Sequence, residues 1–418
     1  MTESTHGKSM VNLSPEDARD KVSDTVGGLA TSEGVPPKDV YTWDRDALAV
    51  NLLDLSVPFE LVGRQAQFQR ITHVLARDGN LLIVGVPGSG RRTLVRRAAR
   101  EIGVKILEVD CIRVTDGQRF VQLLWESINQ TFPMATIQAV MTDWIEGKAA
   151  ELFVLKDEDS GTEELKPVRI QSKELQRKAF EVLLDLLQKL AESEGERVVL
   201  ILESFPHIRS WDRHGVWEKF LREQIEGQTQ VSYVLVATIA ETSIYPHEPG
   251  NNLEIVQLAP LADDVVAAWV TEVLHTQRLT FDPRSQALEI FVNAVQGHFG
   301  DASALVRRLK SVRVSDGLIR DGHVQQAIQE LLGDLSMVFE SLLMLLPANQ
   351  AHLLESLALD PTDKPQSRDY IQKHYLSRGG SLQGAIAGLQ HKGLIYGSEQ
   401  GYRLALPLFA LWLCQRLS

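Results

Sequence analysis

Nine residues, Gly85-Val86-Pro87-Gly88-Ser89-Gly90-Arg91-Arg92-Thr93, stand between an all-apolar run from Leu81 to Val84 and a helical pattern from Leu94 to Ile102. A strand that runs through a glycine-rich turn into a helix restricts the fold to a parallel α/β sheet with its ligand side at the strand ends. Glycines at these positions let successive backbone N–H groups point inward at a phosphate, and the helix N-terminus adds partial positive charge. Gly85 and Gly90 have the spacing of the G-x-x-x-x-G-K-[ST] loop, which makes Gly85, Pro87, Gly88, Ser89, Gly90, Arg91, Arg92 and Thr93 the candidate nucleotide-binding residues for ATP or ADP. A glycine-rich turn without a ligand is the plainer alternative, and the complete strand-loop-helix context weighs against it.

Two residues depart from that template. Arg91 replaces the lysine, a compact point charge, with a wide planar guanidinium, and Arg92 replaces the hydroxyl that binds magnesium. Thr93 supplies a hydroxyl in its place only if the helix start shifts by one residue.

Five runs read as strands buried on both faces: Leu81 to Val84, Lys105 to Val109, Val198 to Leu202, Val231 to Ala237 and Ile255 to Leu258. The charged segment Lys156 to Lys166 reads as a surface loop or small hairpin insertion. Ser172 to Ala191 reads as an amphipathic helix carrying Leu175, Phe180, Leu183, Leu184, Leu187 and Leu190. The third strand ends in Glu203, which can hold magnesium through water, followed by Ser204, which is no comparable base. Candidate catalytic residues are therefore Glu203, Thr238 at the fourth strand end as a γ-phosphate sensor, and Arg222 as a trans-acting arginine finger. Candidate metal ligands are Thr93 and Glu203, and a solvated surface charge is the plain alternative for Arg222.

After Pro260 only helical patterns follow: Asp263 to Leu274, Pro283 to Val295 and Asp301 to Val312. Further helices at Phe339 to Leu346, Asn349 to Leu357, Ser367 to Leu376 and Ser381 to Lys392 lead to a two-stranded wing around Gly397 to Gly401, a winged helix. The organisation is a disordered or extended arm at 1–40, a P-loop α/β domain at 41–261, a helical lid and connector at 262–333, and an α+β winged helix at 334–418. Ala49 to Phe59 reads as a short helix leaning on the next domain. A chain of 418 residues has room for two to three such domains.

No apolar run approaches the ~20 residues needed to span a bilayer, so a cytoplasmic protein with no membrane contact is expected. Cys111 and Cys414 stand far apart and read as buried free thiols. The net charge of −12 does not favour non-specific DNA attachment. The helix Ser381 to Lys392 is small and nearly neutral and the wing tip Ser398-Glu399-Gln400 is acidic, while Lys364, Arg368, Lys373 and Arg378 add local positive charge. Protein contact and DNA contact stay open as equal alternatives for this domain.

Phe59-Glu60-Leu61-Val62-Gly63-Arg64, the glycine loop, Glu203, Thr238, Leu258-Ala259-Pro260-Leu261 and Gly300-Asp301-Ala302 follow one another in the order of the AAA+/STAND and origin-recognition ATPases, which the chain resembles. The segments Leu389 to Ile395, Tyr402 to Leu404 and Pro407 to Phe409 resemble the winged helix that ends many archaeal-type ATPases. The resemblance places Gly63 and Arg64 near the adenine and implies a homo-oligomer or AAA+-type assembly with a protein partner. The chain departs from the family at Arg91, Arg92, Ser204 and Ser303, the last standing where initiator-type lids carry an arginine; Arg307 and Arg308 lie one turn on. These losses imply a nucleotide-binding regulatory protein with weak or absent hydrolysis, acting through self-assembly and winged-helix contacts to protein or DNA. The alternatives are an active ATPase that remodels DNA complexes, as replication initiators and transposition regulators do, and a nucleotide-free structural adaptor.

Overall fold

The computed structural model describes residues 62–145, 153–154, 166–167, 169–243, 253–312, 316–398 and 401–417. The N-terminal arm, the helix expected at Ala49 to Phe59, residues 59–61 of the opening segment, residues 156–165 of the charged insertion and Glu399-Gln400 of the wing tip lie outside the described residues.

The P-loop domain runs α1 (Gln65–Leu75), β1 (Asn80–Gly85), α2 (Arg91–Glu101), β2 (Lys105–Asp110), α3 (Gly117–Thr131), α4 (Met134–Ile145), β3 (Phe153–Val154), β4 (Lys166–Pro167), α5 (Lys173–Glu194), β5 (Val198–Glu203), α6 (Val216–Gly227), β6 (Val231–Thr238) and β7 (Leu253–Leu258). Five strands form one parallel sheet in the order β2-β5-β6-β1-β7. β1, β5 and β6 occupy its interior and are buried along almost their whole length, which is why they read as unbroken apolar runs. One face packs against α3, α5 and α6 through Phe120, Phe180, Leu187 and Leu221; the other packs against α1 and α2 through Ile71, Leu75, Val95 and Ala98. β3 pairs antiparallel with β4 and closes the base of the insertion as a hairpin. On α5, Leu175 is 44% exposed rather than core. Its neighbour Gln176 is buried instead, with its amide donating to the Ile170 carbonyl at 2.8 Å.

The lid comprises α7 (Asp263–His275), β8 (Thr280–Phe281), α8 (Ala287–Val295), α9 (Phe299–Ser311) and β9 (Leu318–Ile319). The expectation of helices alone is corrected here, because β8 and β9 pair in parallel over two residues each, too short a run for a periodic signal. The helix expected from Pro283 begins at Ala287. α10 (Asp321–Met344) crosses the boundary drawn at 333/334 as one continuous helix.

The last domain holds α11 (Ala348–Leu359), α12 (Arg368–Lys373), α13 (Gly380–His391), the antiparallel pair β10 (Ile395–Ser398) and β11 (Gly401–Leu404), and α14 (Pro407–Leu417). Phe409 and Trp412 of α14 pack against Phe339 of α10 with tilted rings, so the apolar tail is cover for this domain. Lid and winged helix share a single apolar core. Cys111 is buried, as expected, whereas Cys414 is half-buried with its thiol 3.2 Å from the Ala358 carbonyl. No described helix is long and apolar enough to cross a membrane.

Candidate functional site

β1, β5 and β6 end side by side, which brings the glycine loop, Glu203 and Thr238 to one edge of the sheet. At Gly85 a side chain is excluded, since a Cβ would lie 2.7 Å from Ser89 Oγ and 2.9 Å from the Leu258 carbonyl. Gly88 (φ 80) and Gly90 (φ 88) take left-handed backbone angles that favour glycine. α2 starts at Arg91 with no side-chain cap and no acid in its first turn, so its leading amides stay open to an anion. Ser89 Oγ is buried without a hydrogen-bond partner. These features line a cleft of about 420 Å³, together with Val62, Arg64, Glu203, Ser204, Leu261, Phe299, Ser303 and Arg307. The volume lies within the range of nucleotide-sized ligand pockets, and an orphaned hydroxyl beside an open cradle of amides fits a phosphate.

The arginines are not equivalent. Arg64 is buried, with its guanidinium donating to the Ala259 carbonyl at 2.5 Å, and burial lowers its pKa to about 10. Gly63 beside it has φ 68, and a Cβ there would lie 2.7 Å from Val265 Cγ1, which pins the Gly63-Arg64 step against the start of the lid. Arg91 donates to the Ala237 carbonyl at the end of β6, and burial lowers its pKa to about 10 despite the nearby charge of Glu203. Arg92, 49% exposed, pairs through Nε with Glu203 and through Nη2 with Glu108 at 2.8 Å. Arg96 grips Glu108 as well. Burial raises the Glu203 pKa, with Arg92 opposing; burial would also raise that of Glu108, but hydrogen bonds from Arg96 and Arg92 hold it below the ordinary value.

Thr93 is exposed at the cleft wall. The one-residue shift that would put it in the hydroxyl position is corrected, because the helix starts at Arg91 with Gly90 as its cap. Ser204 also lines the cleft and takes a left-handed φ of 51, a conformation that costs a non-glycine residue about 1 kcal/mol. Thr238 is not among the described residues lining the cleft; its Oγ1 is buried without a partner, and its methyl group faces the winged helix. Arg222 pairs with Glu218 on its own helix at 3.3 Å, away from the cleft. Of the three catalytic candidates, only Glu203 reaches the cleft within one chain.

The lid roofs the loop. Arg307 lines the cleft, whereas Arg308 turns outward to Glu330 and Asp334. His298, which the sequence reading passed over, is 4% exposed and sits where a Cβ on Gly88 would meet it at 2.7 Å. Its Nε2 donates to the Pro87 carbonyl; in the neutral ring its Nδ1 accepts the Asp301 amide at 3.0 Å, capping α9, and in the protonated ring the same Nδ1 donates to the Asp301 carboxylate instead. Asp301 Oδ1 stands 3.0 Å from the same Nδ1, and Oδ2 accepts the amide of Leu408 in α14 at 2.9 Å. Loop, lid and winged helix are thereby joined in one line of contacts. The only local signal was the position of His298 just before the Gly300-Asp301-Ala302 motif.

Although burial alone would lower the His298 pKa, the hydrogen bond and charge of Asp301 and the Pro87 carbonyl raise it overall. A raised imidazole pKa contributes stability that is complete below the ordinary value of about 6.5 and is lost as pH rises through the folded value. Wild-type melting temperature is therefore expected to fall between about pH 6 and 8 relative to His298→Gln. Calorimetric melts across that window check it, and parallel curves for the two proteins would refute it.

The winged helix also touches the loop directly. Val86 packs with Tyr396 and Ala405 beside Ile239. A Cβ on Gly393 would lie 3.0 Å from Thr238 Cγ2 and 3.7 Å from Pro87 Cγ.

Residues 60–236 match the AAA ATPase domain family, and residues 337–415 match a probable winged helix domain family. No curated protein matches the chain. Among solved structures, a Walker-type ATPase of Pyrococcus abyssi aligns over 84% of this chain and 95% of its own at 16% identity, with a TM-score of 0.57. The ORC2 protein of Aeropyrum pernix aligns over 90% and 99% at 14% identity and a TM-score of 0.42. The ORC1 protein of that organism, solved in complex with DNA, aligns over 85% and 94% at 18% identity and a TM-score of 0.41. The first likeness shows a shared fold.

Proposed function

For a chain that carries an AAA ATPase domain followed by a winged helix, we propose a regulatory role: it binds ATP or ADP in the loop cleft, hydrolyses it poorly, and passes the nucleotide state to its winged helix. The observation that carries this reading is the seating of Tyr396, Ala405 and Gly393 on Val86, Pro87 and Thr238, beside the His298 and Asp301 contacts. A phosphate entering the loop changes the surface on which the winged helix rests, so the two equilibria are coupled. Poor hydrolysis follows from Ser204, which cannot act as a comparable base, and from Glu203, which is already paired with Arg92.

A protein partner fits better than DNA. The exposed positions of α13 include Ser381, Gln383, Gly384 and Ala387, which are uncharged, and Lys373 on the neighbouring helix pairs with Asp360 at 2.6 Å. A DNA-reading helix needs more free cations or amides than this.

Hydrogen exchange of the full chain, alone and saturated with ADP or ATP, tests the coupling. Altered protection at 393–408 is expected with nucleotide. Saturating binding that changes only the loop and leaves 393–408 untouched would overturn the regulatory reading.

A further inference from the structure

Phosphate-loop proteins ordinarily bind nucleotide with Mg²⁺, held by a hydroxyl in the loop and a strand-end carboxylate, often through water. The residues here do not fit that ion. Arg92 stands in the hydroxyl position, and its Nε lies in ion-pair contact with Oε1 of Glu203, the carboxylate that would face the metal, although that buried oxygen accepts no hydrogen bond. Its Nη2 lies 2.8 Å from Glu108, which Arg96 also holds. Thr93 lies about 100° further round the helix and is exposed. A divalent cation beside Glu203 would meet a guanidinium at contact range and be repelled by it.

We propose that Arg92 takes the metal's place, so that this cleft binds its nucleotide as the metal-free anion. The inference rests on the reading that the cleft takes a nucleotide at all. Arg92 is half exposed on the cleft wall, so with Nε on Glu203 and one Nη2 hydrogen on Glu108 its Nη1 edge, with the second Nη2 hydrogen, stays accessible to a phosphate. A guanidinium offers phosphate two parallel donors, which a spherical ion cannot. The open amides of α2 and the guanidinium of Arg307, which has no ion pair among the described residues, supply the rest of the countercharge.

The test is calorimetric titration of the full chain with ADP, once in excess EDTA and once in millimolar Mg²⁺. Electron paramagnetic resonance of Mn²⁺ with ADP and protein reports metal contact independently. In the wild type, ADP affinity in EDTA is expected to equal that in Mg²⁺ within roughly threefold, with no protein-dependent Mn²⁺ signal. Arg92→Ser, which restores a hydroxyl and frees Glu203, is expected to lose roughly tenfold or more in EDTA and to regain affinity with Mg²⁺. Wild-type binding that tightens tenfold or more with Mg²⁺, or a bound Mn²⁺ signal, overturns the inference and leaves the nucleotide reading standing. No ADP binding in either medium overturns the nucleotide reading itself. The wild-type comparison decides both points even if Arg92→Ser does not fold.

Discussion

Replacing Arg209 by methionine is expected to lower the unfolding free energy by about 3–5 kcal/mol. Arg209 lies in the turn Phe205–Ser210 after β5 and makes two 2.8 Å bonds to Glu218 at the start of α6. Its Nη1 makes a third 2.8 Å bond to Glu241 in the turn Ile239–Ser243 after β6. Glu241 is 0% exposed, and one of its oxygens already lacks a partner. Removing the guanidinium leaves that carboxylate buried without countercharge, which is far more costly than losing a surface pair. Arg209→Met/Glu241→Gln is expected to recover much of the loss, because the stranded charge goes with the arginine. Urea titrations of the two variants and the wild type check the pattern. A loss under about 1 kcal/mol for Arg209→Met would show that water reaches the network. The network joins the turns that follow Glu203 and Thr238, so it ties the ends of β5 and β6, of which β6 lies beside the loop strand β1.

The second large effect is expected at Gly88. Valine there must adopt φ 80, and its Cβ starts 2.7 Å from the His298 ring. The ring cannot swing aside cheaply, since Pro87 and Asp301 hold both of its nitrogens. Gly88→Val therefore both fills the cradle and pushes the lid off the loop. Nucleotide affinity is expected to fall roughly a hundredfold or more, equivalent to about 3 kcal/mol. A melting temperature that survives while affinity vanishes would place the effect in the cradle. Joint loss of both would place it in the lid contact.

The sheet was legible because interior strands of a parallel sheet are buried on both faces and must be apolar throughout, as in Val198–Glu203 and Val231–Thr238. The loop was legible because its glycines are required locally, at Gly85 by contact and at Gly88 and Gly90 by backbone angle. The departures at Arg91 and Arg92 could be read as losses from the sequence, but not where the guanidiniums go. That Arg92 turns to Glu203 depends on β2 and β5, neighbours only in space, which set Glu108 and Glu203 together beside the helix that carries Arg92. His298 reaches Pro87 across 211 residues, and no periodicity records such a contact. Thr238 sits at the strand end as expected, yet it faces the winged helix, because domain docking decides which way a strand-end side chain looks.

Nucleotide binding with poor hydrolysis is tested most directly by titration of the full chain with ATP, followed on the same sample by the rate of phosphate release. One equivalent bound by the wild type, binding roughly a hundredfold or more weaker by Gly88→Val, and release far slower than the ~10 s⁻¹ median of enzymes is the expected result. Turnover near that median and abolished by Glu203→Ala, or no binding by the wild type, would contradict it.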